Sequence, residues 1–307
     1  MTEPGIYHGM SMADYQAIEA IGQQTLQQTL DRCPLAGWFN SYLNPHRPAD
    51  DTAPKDAGSI AHKILLEGTM DGVCVIDPND HPTEKTGNIP DGWTNKSIRA
   101  ARDAARDAGQ IPILKPAMGE IKAMVTSAEK FIQSLRVSEP AIFSLFQPNG
   151  GTSETTIVWK DEGVLCRIRP DRLSADHALI GDAKFTGTSA EPDQWGRTQM
   201  VRMGYYTAAA FYQRGVEQLT GKTCSYVYLV VETAPPYLCS LVGVDPHAFS
   251  LGHEKINLAL AKWRKCVKDG YWPGYPTRVA YPEIPAWEDA RWLEQQTSEP
   301  IAYGSQG

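Results

Sequence analysis

No two cysteines in this sequence form a C-x-x-C pair. The six (Cys33, Cys74, Cys166, Cys224, Cys239 and Cys266) are scattered along the chain. That argues against a zinc or iron–sulfur site and fits free thiols in a reducing compartment. Positive charge is not in excess either. Lys and Arg number 29 against 36 Asp and Glu, a formal net charge of −7, which argues against a protein that coats nucleic acid over its whole surface. It does not argue against an enzyme with a local basic channel, because metal-binding carboxylates themselves add negative charge. No apolar stretch approaches membrane-spanning length. No basic segment with an apolar run behind it opens the chain, so there is no signal-peptide pattern, and the expected location is the cytoplasm. Internal repeats, heptads and low-complexity segments are also missing.

What is present suits a packed α/β domain. At 307 residues with 42% hydrophobic content, the chain can bury a real core. Ser11 to Tyr15 predicts a short capped helix, Gln23 to Leu30 a second, and Pro34 opens a third carrying Trp38, Phe39 and Tyr42. Pro45 to Lys55 reads as loop. Ile60, Ile64 and Leu65 recur at helical spacing over Ala57 to Gly68, with Gly68 as the stop. His62 lies inside that pattern, where a ligand and a core histidine look alike. Residues 69–116 are the least readable: Pro78 to Pro90 reads as polar loop and Ser97 to Ala108 as a helix. Arg99, Arg102 and Arg106 on that helix make a stripe that either meets phosphate or pairs with Asp103 and Asp107. A further helix is predicted over Met118 to Leu135.

The central stretch runs from Gly163 to Gly187. Val164–Ile168 and Ala178–Ile180 read as two strands, with Thr155–Trp159 before them and Asp161-Glu162-Gly163 as a tight turn. Asp171 follows the first strand and Asp182 lies on the second. Asp182 and Lys184, two apart, share a face, and Asp171 lies beside them if the strands pair. Two carboxylates beside an ammonium suit a hard divalent cation such as Mg²⁺; the alternative is an ordinary surface ion pair. Glu154 is placed near Arg169 or Asp171 across the hairpin. One long helix is predicted over Gln194 to Gln213, strands over Cys224 to Glu232 and Tyr237 to Val244, a helix over Leu251 to Asp269, extended chain over Pro273 to Pro285, and a surface tail with Trp287 and Trp292.

Pro170-Asp171 followed by Asp182-Ala183-Lys184 resembles the PD-(D/E)xK nuclease signature. More narrowly, the chain resembles the RecE-type exonuclease domain (exodeoxyribonuclease VIII) of phages and prophages. Gly5-Ile6-Tyr7, Asp14-Tyr15, Cys33-Pro34, Gly58-Ser59-Ile60-Ala61-His62, Leu66-Glu67, Glu154 and Trp272-Pro273-Gly274-Tyr275 fall in family order, over roughly residues 5 to 275. The resemblance implies an α/β fold with a PD-(D/E)xK restriction-endonuclease-like core: a mixed central sheet flanked by helices, with N-terminal helical additions. It implies one nuclease domain over 1–307, made of a helical lead-in (1–57), a core (58–275) with an insertion at about 69–150, and a tail (276–307). It implies metal ligation by His62, Asp171, Asp182 and the carbonyl of Ala183, with Lys184 assisting the attacking water, Glu154 in support, and Tyr205 contacting the DNA backbone. The metal implied is Mg²⁺, with Mn²⁺ as a substitute. The activity implied is 5′–3′ digestion of linear double-stranded DNA with a free end, by a ring-shaped homo-oligomer in a bacterial host cell. The single strand so exposed would pass to a phage single-strand annealing protein. Two alternatives remain: an endonuclease or single-strand-specific nuclease on the same core, and an inactive DNA-binding or assembly protein. The last draws on one departure, Ala208, which stands where the family carries a glutamine.

Overall fold

The computed structural model describes residues 2–47 and 56–298. The loop expected over Pro45 to Lys55 lies mostly outside them, as do the last residues of the tail. The chain divides into two compact units, Met1–Gly274 and Tyr275–Gly307.

The first unit begins with β1 (Gly5–Tyr7), α1 (Met12–Ala17), α2 (Gln23–Asp31) and α3 (Pro34–Phe39). Next come α4 (Asp56–Glu67), β2 (Val73–Ile76), α5 (Lys96–Asp107), β3 (Ile111–Leu114), α6 (Met118–Ser138) and α7 (Pro140–Leu145). Five strands follow: β4 (Gly151–Ser153), β5 (Thr156–Asp161), β6 (Val164–Ile168), β7 (Arg172–Ser174) and β8 (Leu179–Thr186). The unit ends with α8 (Pro192–Trp195), α9 (Tyr205–Thr220), β9 (Ser225–Glu232), β10 (Cys239–Gly243) and α10 (Pro246–Asp269). The second unit contains α11 (Ala286–Ser298).

The central sheet has the order β10-β9-β8-β7-β4. Only β8 and β9 run parallel in it, with α9 as their crossover; the other neighbours are antiparallel. A second sheet, β1-β5-β6, is wholly antiparallel, and β2 pairs in parallel with β3. The period of two along a strand sets the layers. Tyr226, Tyr228 and Val230 face the large core shared with α9 and α10. Leu229 and Val231 face α6, which also packs on Ile60 and Ala61 of α4. Helices thus cover both faces of a mixed sheet, the expected α/β plan.

Several expectations change. The strands Val164–Ile168 and Ala178–Ile180 do not pair with each other. A third strand, β7, intervenes and pairs with β8 through Arg172↔Gly181, while β6 stays with β5 in the other sheet. Arg169-Pro170-Asp171 therefore crosses between sheets. The single helix over Gln194 to Gln213 is instead α8, a π turn over Gly196–Met200, and α9. The break is at Gly204, whose φ of +68° is left-handed and suits glycine. The lead-in is not purely helical, because β1 adds a strand to β5. In residues 69–116 the expected helix over Ser97 to Ala108 is α5, and two short strands that were not expected, β2 and β3, flank it. The tail carries α11, where the Arg291 guanidinium lies 5.9 Å from the Trp287 ring centroid. Ser11 does cap α1, its Oγ accepting from Asp14 N at 3.0 Å, and Glu162 and Gly163 take positive φ at the hairpin turn. All six cysteines are free. Among the described residues no helix is long and apolar enough to cross a membrane.

Candidate active site

Helix α4 brings the first site residue. Ile60 and Ala61 are fully buried, which fixes the helix on α6, and Gly68 at φ +67° ends the run, its N–H donating to Ile64 O at 3.1 Å. Lys63 and Glu67 pair along the helix at 3.1 Å. His62, one position after the buried Ala61, extends to Asp171: its Nε2 lies 2.7 Å from Asp171 Oδ2. The same oxygen accepts the Ala183 N–H at 3.0 Å. Asp171 is therefore held from two sides, by α4 and by the backbone of β8.

Glu154 joins them from the link between β4 and β5. Its φ of +52° is unusual for a residue with a side chain. The conformation is held by Glu154 N–H donating to Asp171 O at 3.2 Å and by Arg169 Nε donating to Glu154 Oε2 at 2.6 Å. The placement near Arg169 and Asp171 expected across the hairpin is found. Two contacts of the buried Arg172 brace the frame. Arg172 Nε donates to Leu145 O at 2.9 Å and its Nη1 to Ser153 Oγ at 2.7 Å. Ser153 Oγ in turn donates to Leu66 O at 3.0 Å, tying the end of α4 to β4. Gly181, just before Asp182, admits α7: a Cβ there would sit 2.7 Å from Leu145 Cδ2.

His62, Glu154 and Asp171 each offer a ligand atom, all within 4.8 Å of one another. Among the described residues this is the group able to hold a metal ion, and one imidazole with two carboxylates fits a divalent cation. Asp182 is not part of it. Strand alternation puts Asp182 and Lys184 on the β8 face toward α9, whereas His62 arrives from α4, beside Ala183 and Phe185. Asp182 Oδ1 contacts Lys184 Nζ, and Tyr226 OH donates to its Oδ2 at 2.9 Å. The pair sits in an aromatic frame, with Lys184 Nζ 5.4 Å from the Tyr205 ring centroid and 5.8 Å from that of Tyr228. Tyr205 stacks on Trp195 at 5.6 Å. Its ring lines the cleft and also packs against the buried Trp195 and Tyr228.

The charges are strongly coupled to burial. Burial alone would push the His62 imidazole down, but the Asp171 carboxylate, with Glu154 and Asp182 behind it, holds it up at about 9. Burial likewise works against ionised Asp171, yet His62, Lys184 and the Ala183 N–H bring it to about 2. Asp182 is raised to about 6 by burial and by the Asp171 charge, against the pull of Lys184 and Tyr226. Lys184 is destabilised as a cation by burial, but Asp182 and Asp171 more than reverse this and raise it. Glu154 is raised by burial and by Asp171, with Arg169 opposing. Without metal, His62 is thus an imidazolium at neutral pH, and its Nε2–H donates to Asp171.

These residues open on a cleft of about 1450 Å³ whose other wall includes Met10, Met12 and Tyr15 from the N-terminal segment. Tyr226 is a site neighbour that sequence reading did not name, and Arg169 was named only as a neighbour of Glu154. The signal for Tyr226 was available: Tyr226 and Tyr228 repeat the two-residue spacing of Asp182 and Lys184 on a strand in parallel register, with Asp182 opposite Tyr228. Gln213, the buried glutamine of α9, does not stand in for the one expected at Ala208. It is committed to Cys224 O and His253, at 2.6 and 2.9 Å.

Among curated protein sequences none matches this chain. Among solved structures, a "putative exonuclease" from Eubacterium rectale superposes with a TM-score of 0.57 at 13% identity, covering 92% of this chain and 98% of that one. At that identity the likeness shows a shared fold. The alkaline exonuclease of Laribacter hongkongensis aligns at 14% identity over 67% of this chain and 95% of its own, with a TM-score of 0.24 that adds nothing to the fold argument. A family model described as a PDDEXK-like domain of unknown function (DUF3799) matches residues 42–283. That span includes every residue of the His62–Glu154–Asp171 cluster and the Asp182–Lys184 pair, and the chain belongs to this PDDEXK-like family.

Proposed function

We propose that the protein is a metal-dependent nuclease that hydrolyses phosphodiester bonds in DNA. The observation that carries this reading is the convergence of His62, Glu154 and Asp171 within 4.8 Å, beside a half-buried Asp182–Lys184 pair. His62 Nε2 and the carboxylates of Glu154 and Asp171 would hold the cation, with Mg²⁺ as the first candidate and Mn²⁺ as a substitute; Asp182 and the Ala183 carbonyl are the further donors suggested by the family signature. A divalent ion there would supply Lewis-acid polarisation of the phosphoryl oxygen and a more acidic attacking water.

The chain's own groups set the rest. Lys184 is held as an ammonium by Asp182 and Asp171, so it donates and does not accept. Its role is to orient the attacking water and to offset negative charge on the phosphoryl oxygens in the transition state. Asp182 and the Tyr205 and Tyr228 rings hold Lys184 in place for this. Tyr205 faces the cleft, where it would lie along the DNA backbone. The narrower reading is a 5′–3′ exonuclease on linear duplex, assembled as a ring and working with a phage annealing protein. It rests on family resemblance.

The test is a terminus-labelled linear duplex incubated with Mg²⁺ beside a covalently closed circle. Release of short 5′ products from the linear DNA alone supports the exonuclease. Cutting of the circle supports the endonuclease, and absence of cleavage with Mg²⁺ or Mn²⁺ overturns the reading in favour of a DNA-binding or assembly role.

A further inference from the structure

Behind the break in the α8–α9 segment lies a second pocket, of about 340 Å³, lined among others by Gln27, Asp31, Arg202, Gly204, Thr207 and Lys255. It is separate from the metal cluster but adjacent to the cleft along the chain: Gly204 lines the pocket and Tyr205, the next residue, lines the cleft.

Its chemistry is that of an anion site. Helix α9 starts at Gly204 with no side-chain cap, so the N–H groups of its first turn point along the axis with no partner inside the helix. Lys255 Nζ bonds to the Tyr206 hydroxyl at 2.5 Å and lies 5.0 Å from that ring's centroid. Arg202 bonds to the amide oxygen of Gln199 at 2.8 Å. Neither cation forms an ion pair among the described residues. The carboxylate that lines the pocket, Asp31, is exposed. An independent observation comes from Thr207. The residue is only 7% exposed and lines this pocket, and its hydroxyl has no hydrogen-bond partner among the described residues. The hydroxyl oxygen is not itself sealed off, so its O–H can donate to a ligand with acceptor oxygens. The walls are fixed: Gln27 donates to Met203 O at 3.0 Å and accepts from Gln23 at 2.6 Å.

We propose that this pocket is a phosphate subsite, held by Thr207, Lys255, Arg202 and the first turn of α9. Where the phosphate belongs to a nucleic-acid strand, the inference rests on the nuclease reading, and the subsite would hold a phosphate that flanks the scissile one. A free phosphate or mononucleotide offers the same chemistry.

The experiment uses the full chain in EDTA, so that no cleavage intervenes. Binding of a short fluorescein-labelled duplex is measured against salt for wild type, Thr207→Val and Lys255→Gln, with inorganic phosphate titrated in a second arm. Lys255→Gln should weaken duplex binding about tenfold and reduce the salt slope by about one phosphate contact. Thr207→Val should weaken binding while leaving Tm nearly unchanged, because the hydroxyl makes no bond among the described residues; a merely structural threonine would lower Tm and leave binding alone. If phosphate binding falls in the variants and duplex binding does not, the subsite is for free phosphate. Unchanged affinity for both probes in both variants overturns the proposal. A wild type that binds duplex through this pocket yet never cleaves it with Mg²⁺ or Mn²⁺ would sink the nuclease reading and leave the subsite standing.

Discussion

If His62 ligates the metal through Nε2, a cation must replace the proton that this nitrogen shares with Asp171 in the metal-free protein. The imidazole is held up at about 9. At pH 7.5 a group of that pKa is about 97% protonated, so binding should release close to one proton per metal; an unperturbed histidine near 6.5 would release about a tenth of one. The same competition sets the affinity. Between pH 6.5 and 8.5 the apparent association constant should rise about 75-fold, against about twofold for an unperturbed imidazole. Asp182, near 6, is already largely ionised across this window and adds little. The assay is calorimetric titration of Mg²⁺ in buffers of different ionisation enthalpy, with His62→Asn as the control. Release of less than about 0.2 proton at pH 7.5, or the same release from His62→Asn, would refute the reasoning and leave a centre of carboxylates alone.

Three further outcomes are expected. Lys184→Met should slow single-turnover cleavage by roughly two to four orders of magnitude without weakening Mg²⁺ binding, since it removes a positive charge from beside the site; weaker binding would mark Lys184 as structural. Arg169→Met should release Glu154 Oε2 from its 2.6 Å contact and lower Mg²⁺ affinity, whereas Arg169→Lys should restore part of it; equal affinity in all three proteins would detach Glu154 from the metal. In metal-free protein the raised His62 pKa contributes stability that is fully present below about pH 6.5 and is lost as pH rises through about 9, at most about 3 kcal/mol. Denaturant midpoints for wild type and His62→Asn should therefore converge toward pH 10, and parallel curves would show that the ion pair contributes nothing.

Much of this was legible in the chain because local rules and tertiary packing agree. Ile60, Ile64 and Leu65 mark α4, and the i, i+2 spacing of Asp182 and Lys184 fixes their common face whatever they pair with. What could not be read was which strand sits beside which. Val164–Ile168 is a convincing strand, but nothing in it says that Arg172–Ser174, only three residues long, would take its place beside β8. Pattern cannot find a strand that short. The break at Gly204 was masked in the same way. Apolar periodicity continues through it, while the left-handed φ is a property of a single residue. Asp182 was expected in the ligand group because the signature joins it to Asp171. The structure adds what the signature omits: Lys184 and Tyr226 each contact one Asp182 oxygen. Glu154, held in the left-handed region by backbone and Arg169, lies with His62 and Asp171.

The N-terminal strand has a consequence for where this domain physically begins. The family match starts at residue 42, yet β1 completes the β5-β6 sheet, Ile21 bridges to Cys166, and Arg169 Nη1 donates to Met10 O at 2.9 Å. A fragment cut at the matched boundary would expose the edge of β5 as a row of unpaired amides. It would also leave the arginine that orients Glu154 with one acceptor fewer. The cooperative folding unit is therefore larger than the stretch the family model matches. Opening of the first twenty residues, far from the metal ligands in sequence, should register in hydrogen exchange and in cation affinity as one event.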